Sequence, residues 1–503
     1  MTDHGTPPDG PTSDAPRTSG AFATWVRGHR VASGVVAGVV AIVLFGGAAV
    51  AVGATTAPSS GRSAVAGAAP SASTSASASA APSASSTPTI PVRPVPSSIP
   101  AAAPLRTCSV NAAASAAALG SFEGTVVNAT TGETLFDRNG STPARTGSVM
   151  KTLTSAVALS VLGPNYTFAT TVTGDPTSGS ITLVGGGDAT LSALPAGQES
   201  VYKGAPKLSD LAAQVKAKLG DTSLTTIALD SSMWNNADSY DPSWPVTERT
   251  IGYQPLIVPL MVDGDRANPT QQTSPRSTDP VGRAGDAFRS ALVAAGVTGA
   301  STANITRATS TSTTVLATVQ SQPLATLIAQ MIPVSDNTLA EMLARVSSKV
   351  SGADGSAASL TGVYQAALSK SYGLDPSSIK IIDGSGESLN DGVPSAFEAQ
   401  LMIKVLNKVG SLVILYDALP VSGQSGTLAS RFTGANAVAR GHVHAKTGWI
   451  ASAYTLGGII DAADGTKLAF AFYAIGRVSS SAMPALDTLT TAAYSCGANL
   501  SNN

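Results

Sequence analysis

Residues 31–54 form a run of about two dozen residues without a charged side chain, and no other feature constrains the chain more strongly. At about 1.5 Å per residue, a helix of this length spans the roughly 30 Å hydrocarbon core of a bilayer. Arg27 and Arg30 precede the run, and no lysine or arginine follows it until Arg62. We therefore expect one membrane-spanning helix with a cytoplasmic N-terminus and the rest of the chain outside the cell membrane. The alternative is a signal peptide, after whose cleavage the chain would be secreted.

The segments on either side of this run are too poor in large apolar side chains to build a core. Residues 1–30 are polar and contain proline, glycine and aspartate, which predicts a disordered tail. Residues 55–104 are almost entirely alanine, serine, proline and threonine, which predicts a flexible tether. About 400 residues remain for folded domains. The net charge of −1, with 12% charged residues, provides no basic patch and argues against a nucleic-acid partner.

The pattern after residue 104 predicts an α/β fold. Strand-like apolar runs occur at 124–137 and at 445–473, near the two ends of this region, and helical patterns dominate over 315–371. We expect an antiparallel sheet that combines both ends and is flanked by helices, a helical subdomain, and a mainly β inserted module. The predicted organisation begins with a cytoplasmic tail (1–30), a transmembrane signal-anchor (31–54) and a linker (55–104). The first part of the α/β domain (105–165), the inserted module (166–311) and the second part of the α/β domain (312–503) follow.

Ser148-Val149-Met150-Lys151 begins a predicted helix that continues to Gly163, just before Pro164. Two side chains three residues apart lie on one helix face, so a neutral Lys151 amine can take the proton of Ser148. The N-terminus of the helix adds N–H groups and partial positive charge that favour an oxyanion beside this serine. The motif is a candidate nucleophile with its base, although patterns this short also occur by chance.

Two further motifs follow in the chain. Ser335-Asp336-Asn337 stands at a predicted helix start, and Lys446-Thr447-Gly448 stands on a predicted strand. Alone, the first is most often a helix N-cap and the second an ordinary strand with a lysine at its edge. Together with the first motif and in this order, they are the signature of penicillin-binding proteins and class A β-lactamases.

The residue types of these two motifs suit acyl transfer. Ser335 can relay a proton to a leaving amine, and Asn337 can hold a substrate amide with one donor and one acceptor. Lys446 and Thr447 can bind a terminal carboxylate, and Gly448 allows the substrate backbone to approach the strand. We also expect the Lys446 ammonium to lower the pKa of the lysine in the first motif, which must be neutral to act as a base.

Beyond the three motifs, the chain resembles the D-alanyl-D-alanine carboxypeptidase/endopeptidase family S13, the class C low-molecular-mass penicillin-binding proteins. The resemblance covers about residues 105–496, and the long gap between Lys151 and Ser335 resembles the position of that family's inserted domains. Other passages that resemble the family are Leu183-Val-Gly-Gly-Gly-Asp188, Asp383-Gly-Ser-Gly386, Leu419-Pro-Val-Ser-Gly423, Gly426-Thr-Leu428 and Ala445-Lys-Thr-Gly448.

This resemblance implies a penicillin-binding/serine β-lactamase-like transpeptidase domain that cleaves peptidoglycan stem peptides ending in D-Ala-D-Ala, with β-lactams as inhibitors and no cofactor. In the implied site, Ser148 is acylated and Lys151 is the base. One wall is formed by Ser335 and Asn337, and the other by Lys446, Thr447 and Gly448. The backbone N–H groups of Ser148 and Trp449 form the oxyanion hole. Two residues depart from the family pattern. Trp449 replaces a small hydroxyl residue, and Glu387 replaces an apolar one.

Two other functions remain open from the residues. A β-lactamase would need a separate base for fast deacylation, and the sequence identifies no glutamate for that role. A cell-wall binding or sensing protein could keep the pocket without catalysis.

Two pairs of residues allow different chemistry. Cys108 and Cys496 lie at opposite ends of the folded region, where a disulfide would tie its beginning to its end; otherwise they are unpaired thiols. His442 and His444 share one face of a predicted strand and could hold a metal, but exposed strand histidines are the better interpretation. We therefore expect no metal.

Overall fold

The computed structural model describes residues 105–502, and the predicted tail, membrane span and linker lie outside the described residues. Within 105–502, no single helix is both long enough and apolar enough to cross a bilayer. One pair of helices, Ser395–Leu406 with Gly410–Ala418, reaches that length and apolar character only jointly, across a bend of 84°.

Strands and helices are distributed over the whole described region. The strands are β1 (Cys108–Ser109), β2 (Ser121–Asn128), β3 (Thr134–Arg138), β4 (Pro143–Ala144), β5 (Ala169–Asp175), β6 (Ser180–Val184), β7 (Thr226–Asp230), β8 (Asn304–Arg307), β9 (Val315–Gln320), β10 (Val393–Pro394), β11 (Val443–Ile450), β12 (Ala453–Asp461), β13 (Lys467–Ile475) and β14 (Leu500–Ser501). The α-helices are α1 (Asn111–Ala114), α2 (Met150–Val161), α3 (Leu208–Leu219), α4 (Thr247–Ile251), α5 (Pro280–Ala294), α6 (Leu324–Val334), α7 (Asn337–Val350), α8 (Leu360–Tyr372), α9 (Ser395–Leu406), α10 (Val413–Ala418) and α11 (Ala482–Cys496).

The main sheet is antiparallel and is built from both ends of the folded region, as the sequence predicts. Strands β11, β12 and β13 form a meander, with Val443 opposite Ile460 and Ile450 opposite Ala453 in the first pair. The β2–β3 hairpin lies alongside β13, where the Ala129 N–H donates to a β13 carbonyl at 2.8 Å. Chain segments more than 300 residues apart therefore share one sheet.

Helix α2 lies at the centre of the fold. Ten of its residues are buried, and most of them are small, such as alanine, serine, threonine and valine. Small side chains allow close helix packing, and α2 contacts α6, α7 and α8 on its helical side. Helix α9 covers the sheet and contacts β2, β12 and β13. The first motif therefore lies between the sheet and the helical layer.

The segment after α2 forms a separate five-stranded sheet in the order β8-β7-β6-β5-β9. Its β6–β7 and β7–β8 pairs are parallel, and α3 and α5 contact its strands. The segment is thus more helical than the expected mainly β module, because parallel neighbours need crossover connections. Strand β9 pairs with β5, so the sheet extends past residue 311, the predicted end of the module. The serine- and threonine-rich stretch before β9 resembles a linker, although it connects two strands of one sheet.

A disulfide closes the folded region. Cys108 and Cys496 are bonded, with their Cα atoms 5.5 Å apart and a sequence separation of 388 residues. Next to this bond, β1 pairs in parallel with β14. The bond therefore fixes the first strand of the region to its last helix.

We predict that replacing both cysteines, Cys108→Ser with Cys496→Ser, lowers the free energy of unfolding by about 2–5 kcal/mol, because the bond restricts a long loop in the unfolded chain. Thermal unfolding under non-reducing conditions measures the effect. Dithiothreitol should bring the wild type to the midpoint of the variant and leave the variant unchanged. Equal midpoints for both proteins without reductant would contradict the prediction.

Candidate active site

Ser148 lies in a tight turn that precedes α2. The turn is a 3₁₀ helix over Gly147–Val149, and α2 itself begins at Met150, two residues later than the sequence pattern predicts. Gly147 has a φ of +50°, a left-handed conformation that glycine adopts without strain. The following helical turn still places the two polar side chains of the motif together, with Ser148 Oγ 2.7 Å from Lys151 Nζ.

The surroundings of Lys151 Nζ determine where its lone pair points. Besides Ser148 Oγ, the nitrogen contacts Asn337 Oδ1 at 2.7 Å and the carbonyl oxygen of Ser385 at 2.9 Å. Both oxygens can only accept hydrogen bonds, whereas a neutral amine has two N–H groups and one lone pair. The two acceptors occupy the two N–H groups, so the lone pair of the neutral amine faces the hydroxyl of Ser148.

Burial controls the charge of this amine. The pKa of Lys151 is lowered to about 8 chiefly by its complete burial, while the negative charges of Glu387 and Asp383 partly oppose the shift. The Lys446 ammonium, which the sequence predicts as the cause, is not among the groups that shift this pKa. Burial and the charge of Lys151 instead hold the pKa of Lys446 well below its usual range.

The second motif lies at the start of α7, as its sequence predicts. Ser335 ends α6 in a left-handed conformation, with φ 60° and ψ 46°, and its side chain is half-buried. Asp336 is the N-cap of α7 and accepts a hydrogen bond from the Leu339 N–H at 2.9 Å. Asn337 begins the helix and directs its amide oxygen to Lys151.

The inserted segment holds this motif in place through buried charges. Arg266 donates to Asp336 at 2.6 Å, and both side chains are at most 2% exposed. Gln272 donates to the same carboxylate oxygen at 2.8 Å, and Arg276 donates to Thr338 at 3.1 Å. The buried arginine lowers the pKa of Asp336 despite the opposing effect of its burial. No sequence motif marks these three positioning residues, because they belong to a segment that only the tertiary fold brings next to the second motif.

The third motif forms the opposite wall. On β11, Lys446 Nζ donates to Ser335 Oγ at 2.9 Å and to the Thr447 carbonyl at 2.8 Å. Thr447 Oγ1 donates to Thr427 Oγ1 at 2.8 Å. The lysine therefore links the second motif to the third, and the two threonine hydroxyls line the pocket.

Gly448 is required by the protein itself. A Cβ at this position would lie 2.1 Å from Thr455 Oγ1, 2.5 Å from the Thr146 carbonyl oxygen and 2.9 Å from Ser148 N. From the sequence, this glycine is expected to allow the approach of a substrate backbone. In the structure, the absence of a side chain allows the turn that carries Ser148 to pack directly on β11.

This packing brings the backbone nitrogens of Ser148 and Trp449 to the same part of the site. The Ala445 N–H donates to the Pro420 carbonyl, on the edge of β11 that faces away from β12. Because N–H groups alternate between the two edges of an antiparallel strand, the Trp449 N–H points to this same outer edge. Gly147 lies against this edge, since a Cβ on it would be 3.1 Å from Trp449 N. The indole of Trp449 is 56% exposed.

A pocket of about 350 Å³ connects these groups. Its lining includes residues from all three motifs together with Glu248, Glu387, Leu389, Thr427 and Trp449. A larger open groove of about 660 Å³, bordered by Asp230, Arg307 and Lys349, contains none of the motif residues.

A loop that Asp383 holds by hydrogen bonds completes the site, and it lies between the second and third motifs in sequence. Asp383 accepts hydrogen bonds from the Gly386 and Ser388 N–H groups, both at 2.6 Å, and from Trp244 Nε1 at 2.7 Å. The loop presents the Ser385 carbonyl to the lysine of the first motif. The sequence marks this passage only by family resemblance and gives no role to the carbonyl.

His442, which directly precedes β11, and His444 on β11 do not line this pocket. His442 is exposed and packs against Tyr494, while His444 is half-buried and stacks on Tyr416 with ring centroids 5.5 Å apart. Over residues 105–502, no three histidine, cysteine or acidic side chains are grouped to hold a metal ion.

Comparisons with known proteins agree with this geometry. Residues 107–275 and 265–492 match the model of the D-Ala-D-Ala carboxypeptidase 3 (S13) family. Carboxypeptidase DacB of Mycolicibacterium smegmatis is 35% identical over 393 residues, which cover 75% of this chain and 81% of that protein. Penicillin binding protein 4 (dacB) of Haemophilus influenzae has a similar fold, with a TM-score of 0.61 and 19% identity over 74% of this chain and 94% of the other. Its complex with a β-lactam matches with a TM-score of 0.58, 19% identity and the same coverages.

The environment of Lys151 predicts a pH dependence for acylation of Ser148. Because the amine must be neutral to accept the proton, the acylation rate should rise about tenfold per pH unit below the pKa of about 8 and level off above it. The rate of labelling by a fluorescent penicillin measures this profile. The Lys151→Arg variant should show no such pH dependence, and its acylation rate should be lower by about 10²-fold or more. A wild-type rate that is constant between pH 6 and 9 would contradict this role for the amine.

Proposed function

The chain belongs to the D-Ala-D-Ala carboxypeptidase 3 (S13) family, and from this premise we propose that it is a serine-type DD-carboxypeptidase and endopeptidase that cleaves peptidoglycan stem peptides. The observation that carries the proposal is the Lys151 amine, whose two acceptor contacts leave its lone pair for Ser148. A penicillin-binding fold with a serine nucleophile and a prepared base is suited to forming an acyl-enzyme.

In the acylation step, the Ser148 hydroxyl gives its proton to Lys151 while Oγ attacks the carbonyl carbon of the penultimate D-alanine. The backbone N–H groups of Ser148 and Trp449 stabilise the oxyanion, because both border the pocket where the charge develops. The bond to the terminal D-alanine then breaks. Its amine receives a proton through Ser335, whose hydroxyl contacts Lys446.

The third motif supplies the contacts for the substrate's terminal carboxylate. The Thr447 and Thr427 hydroxyls line the pocket and share one hydrogen bond, so one hydroxyl proton is free for the carboxylate. The buried Lys446 Nζ contacts the Thr447 carbonyl, and in its protonated form it adds positive charge to this wall. The amide of Asn337 can bind the peptide on the opposite wall. Trp449 is exposed at the mouth of the pocket, where an indole can pack on the apolar part of a peptide or a β-lactam.

We also propose that residues 31–54 hold the enzyme at the cell membrane with its catalytic domain outside. The support is the uncharged run behind two arginines and the Ala/Ser/Pro-rich tether that follows it. A tethered domain can reach a polymer that lies beyond the bilayer.

The proposed activity predicts two linked results. A fluorescent penicillin should label the wild type, and the wild type should release D-alanine from a D-Ala-D-Ala peptide. Ser148→Ala should lose both, because no acyl-enzyme forms. Ser160→Ala is the matched control, since this serine lies on the same helix, its hydroxyl is hydrogen-bonded to Ser371, and it does not line the pocket. Labelling without release of D-alanine would indicate a binding protein, rapid hydrolysis of the penicillin would indicate a β-lactamase, and an unlabelled wild type would contradict acyl transfer.

The proposed location predicts the outcome of cell fractionation. The full-length chain should sediment with membranes and stay there in high salt, whereas a chain that begins at residue 55 behind a cleavable signal should be released in soluble form. An extracellular protease should remove the catalytic domain from intact spheroplasts of cells that make the full-length chain. Recovery of the full-length chain as a soluble, N-terminally shortened protein would support secretion instead.

A further inference from the structure

Glu387 is an unexplained carboxylate in the wall of the active-site pocket. It replaces an apolar residue expected from the family resemblance, and its side chain is half-buried beside the groups that line the pocket with Ser148. A carboxylate in such a place loses part of its hydration, which costs free energy unless the group has a partner or a function.

The contacts of Glu387 leave one of its oxygens available to the pocket. Its Oε2 accepts a hydrogen bond from Asn337 Nδ2 at 3.3 Å, and this amide contacts Lys151 through its other end. Within residues 105–502, Glu387 has no ion-pair partner and its Oε1 has no hydrogen-bond partner. Oε1 is also not among the buried unpaired oxygens of this region, so it is accessible from the pocket.

The loop that carries Glu387 fixes it close to the nucleophile. Gly386 packs so tightly on the nucleophile turn that a Cβ on it would lie 1.9 Å from the Gly147 carbonyl oxygen. Glu341 holds the same loop by accepting the Ser385 N–H at 2.8 Å, in addition to the contacts of Asp383. The backbone that carries the carboxylate is therefore held by its packing on the nucleophile turn and by buried hydrogen bonds.

The second half of the proposed reaction needs a group like this one. After acylation, a water molecule must attack the ester on Ser148, and its attack is faster if a base removes its proton. The Lys151 amine is committed to the serine oxygen and two acceptors, and a pKa of about 8 leaves it mostly protonated at neutral pH. A separate base would allow the lysine to act as the acid for the departing serine.

We propose that Glu387 is the general base of the hydrolytic half-reaction, an assignment that rests on the proposed function. The water oxygen bonds to the acyl carbon while its proton passes to Glu387. The bond between that carbon and Ser148 Oγ breaks, and the serine oxygen receives a proton from the Lys151 ammonium. Glu387 and the product acid then lose their protons to solvent, and Lys151 is left as the neutral amine that the next acylation needs.

The charges around Glu387 suit this role. Burial, followed by the negative charges of Glu248 on α4 and Asp383 on its own loop, raises the pKa of Glu387 to about 7, while Lys151 on α2 opposes the shift. The Tyr240 hydroxyl also faces this group of charges, and its pKa is raised to about 12 by burial and by both glutamates. A carboxylate whose pKa lies near the ambient pH is a stronger base toward the attacking water than a carboxylate with an ordinary pKa.

The test is the lifetime of the acyl-enzyme. We expect Glu387→Gln to react with a fluorescent penicillin at least as fast as wild type, because loss of the negative charge lowers the pKa of Lys151 and glutamine still offers an oxygen to Asn337. Its adduct should persist about 10²-fold longer, because the base is absent. Glu387→Asp should recover part of the loss. Equal adduct half-lives in Glu387→Gln and wild type would overturn the proposal, and so would a change confined to KM for the peptide. Labelling itself tests the proposed function separately.

The pH profile of the wild type gives a second test that needs no variant at Glu387. Deacylation should quicken as pH rises through about 7, as Glu387 ionises, and slow again above about 8, as Lys151 loses its proton. Glu248→Gln removes a negative neighbour and should therefore move the rising limb to lower pH. A deacylation rate without a rising limb between pH 6 and 8 would overturn the assignment even if Glu387→Gln failed to fold.

Discussion

The geometry of the site depends on how Lys151 is solvated by the protein instead of by water. A lysine removed from water loses much of its preference for the charged form, and the pKa of this one falls to about 8 although carboxylates surround it. The same burial provides its acceptors, since Asn337 and the Ser385 carbonyl occupy its N–H groups. The remaining lone pair has one polar neighbour, Ser148. Desolvation and hydrogen bonding thus together make a base from a residue that is ordinarily an acid.

Chain segments that are far apart must meet for this arrangement to exist. The nucleophile turn packs on β11 at Gly448, where any side chain would collide with Thr146 or Thr455. The Ser335 wall is held by the ion pair between Asp336 and Arg266 of the inserted segment. Removing one partner from a buried ion pair leaves an uncompensated charge and is strongly destabilising. The inserted segment is therefore part of the catalytic architecture as well as a wall of the pocket.

The sequence predicts the parts of this structure that rest on local patterns. Periodicity and capping predict the strand that carries Lys446, the helix that starts at Asn337 and the sheet shared by both ends of the folded region. Contacts made through tertiary packing are beyond such reasoning. Arg266 stands in no motif, and the Ser385 carbonyl is a backbone atom that any residue type would supply. The sequence also assigned the lowered pKa of the base to a neighbouring charge, because burial cannot be read from a four-residue motif.

The central claim is that Lys151 is a neutral amine at mildly alkaline pH, and its titration can be followed directly. Protein labelled with ¹³C at lysine Cε gives one NMR signal per lysine, and Lys151→Arg identifies the signal of interest. Ser148→Ala reports whether the nucleophile influences the titration. The structure predicts a midpoint near pH 8 for this amine. A midpoint close to the ordinary lysine value of about 10.4 would contradict the account.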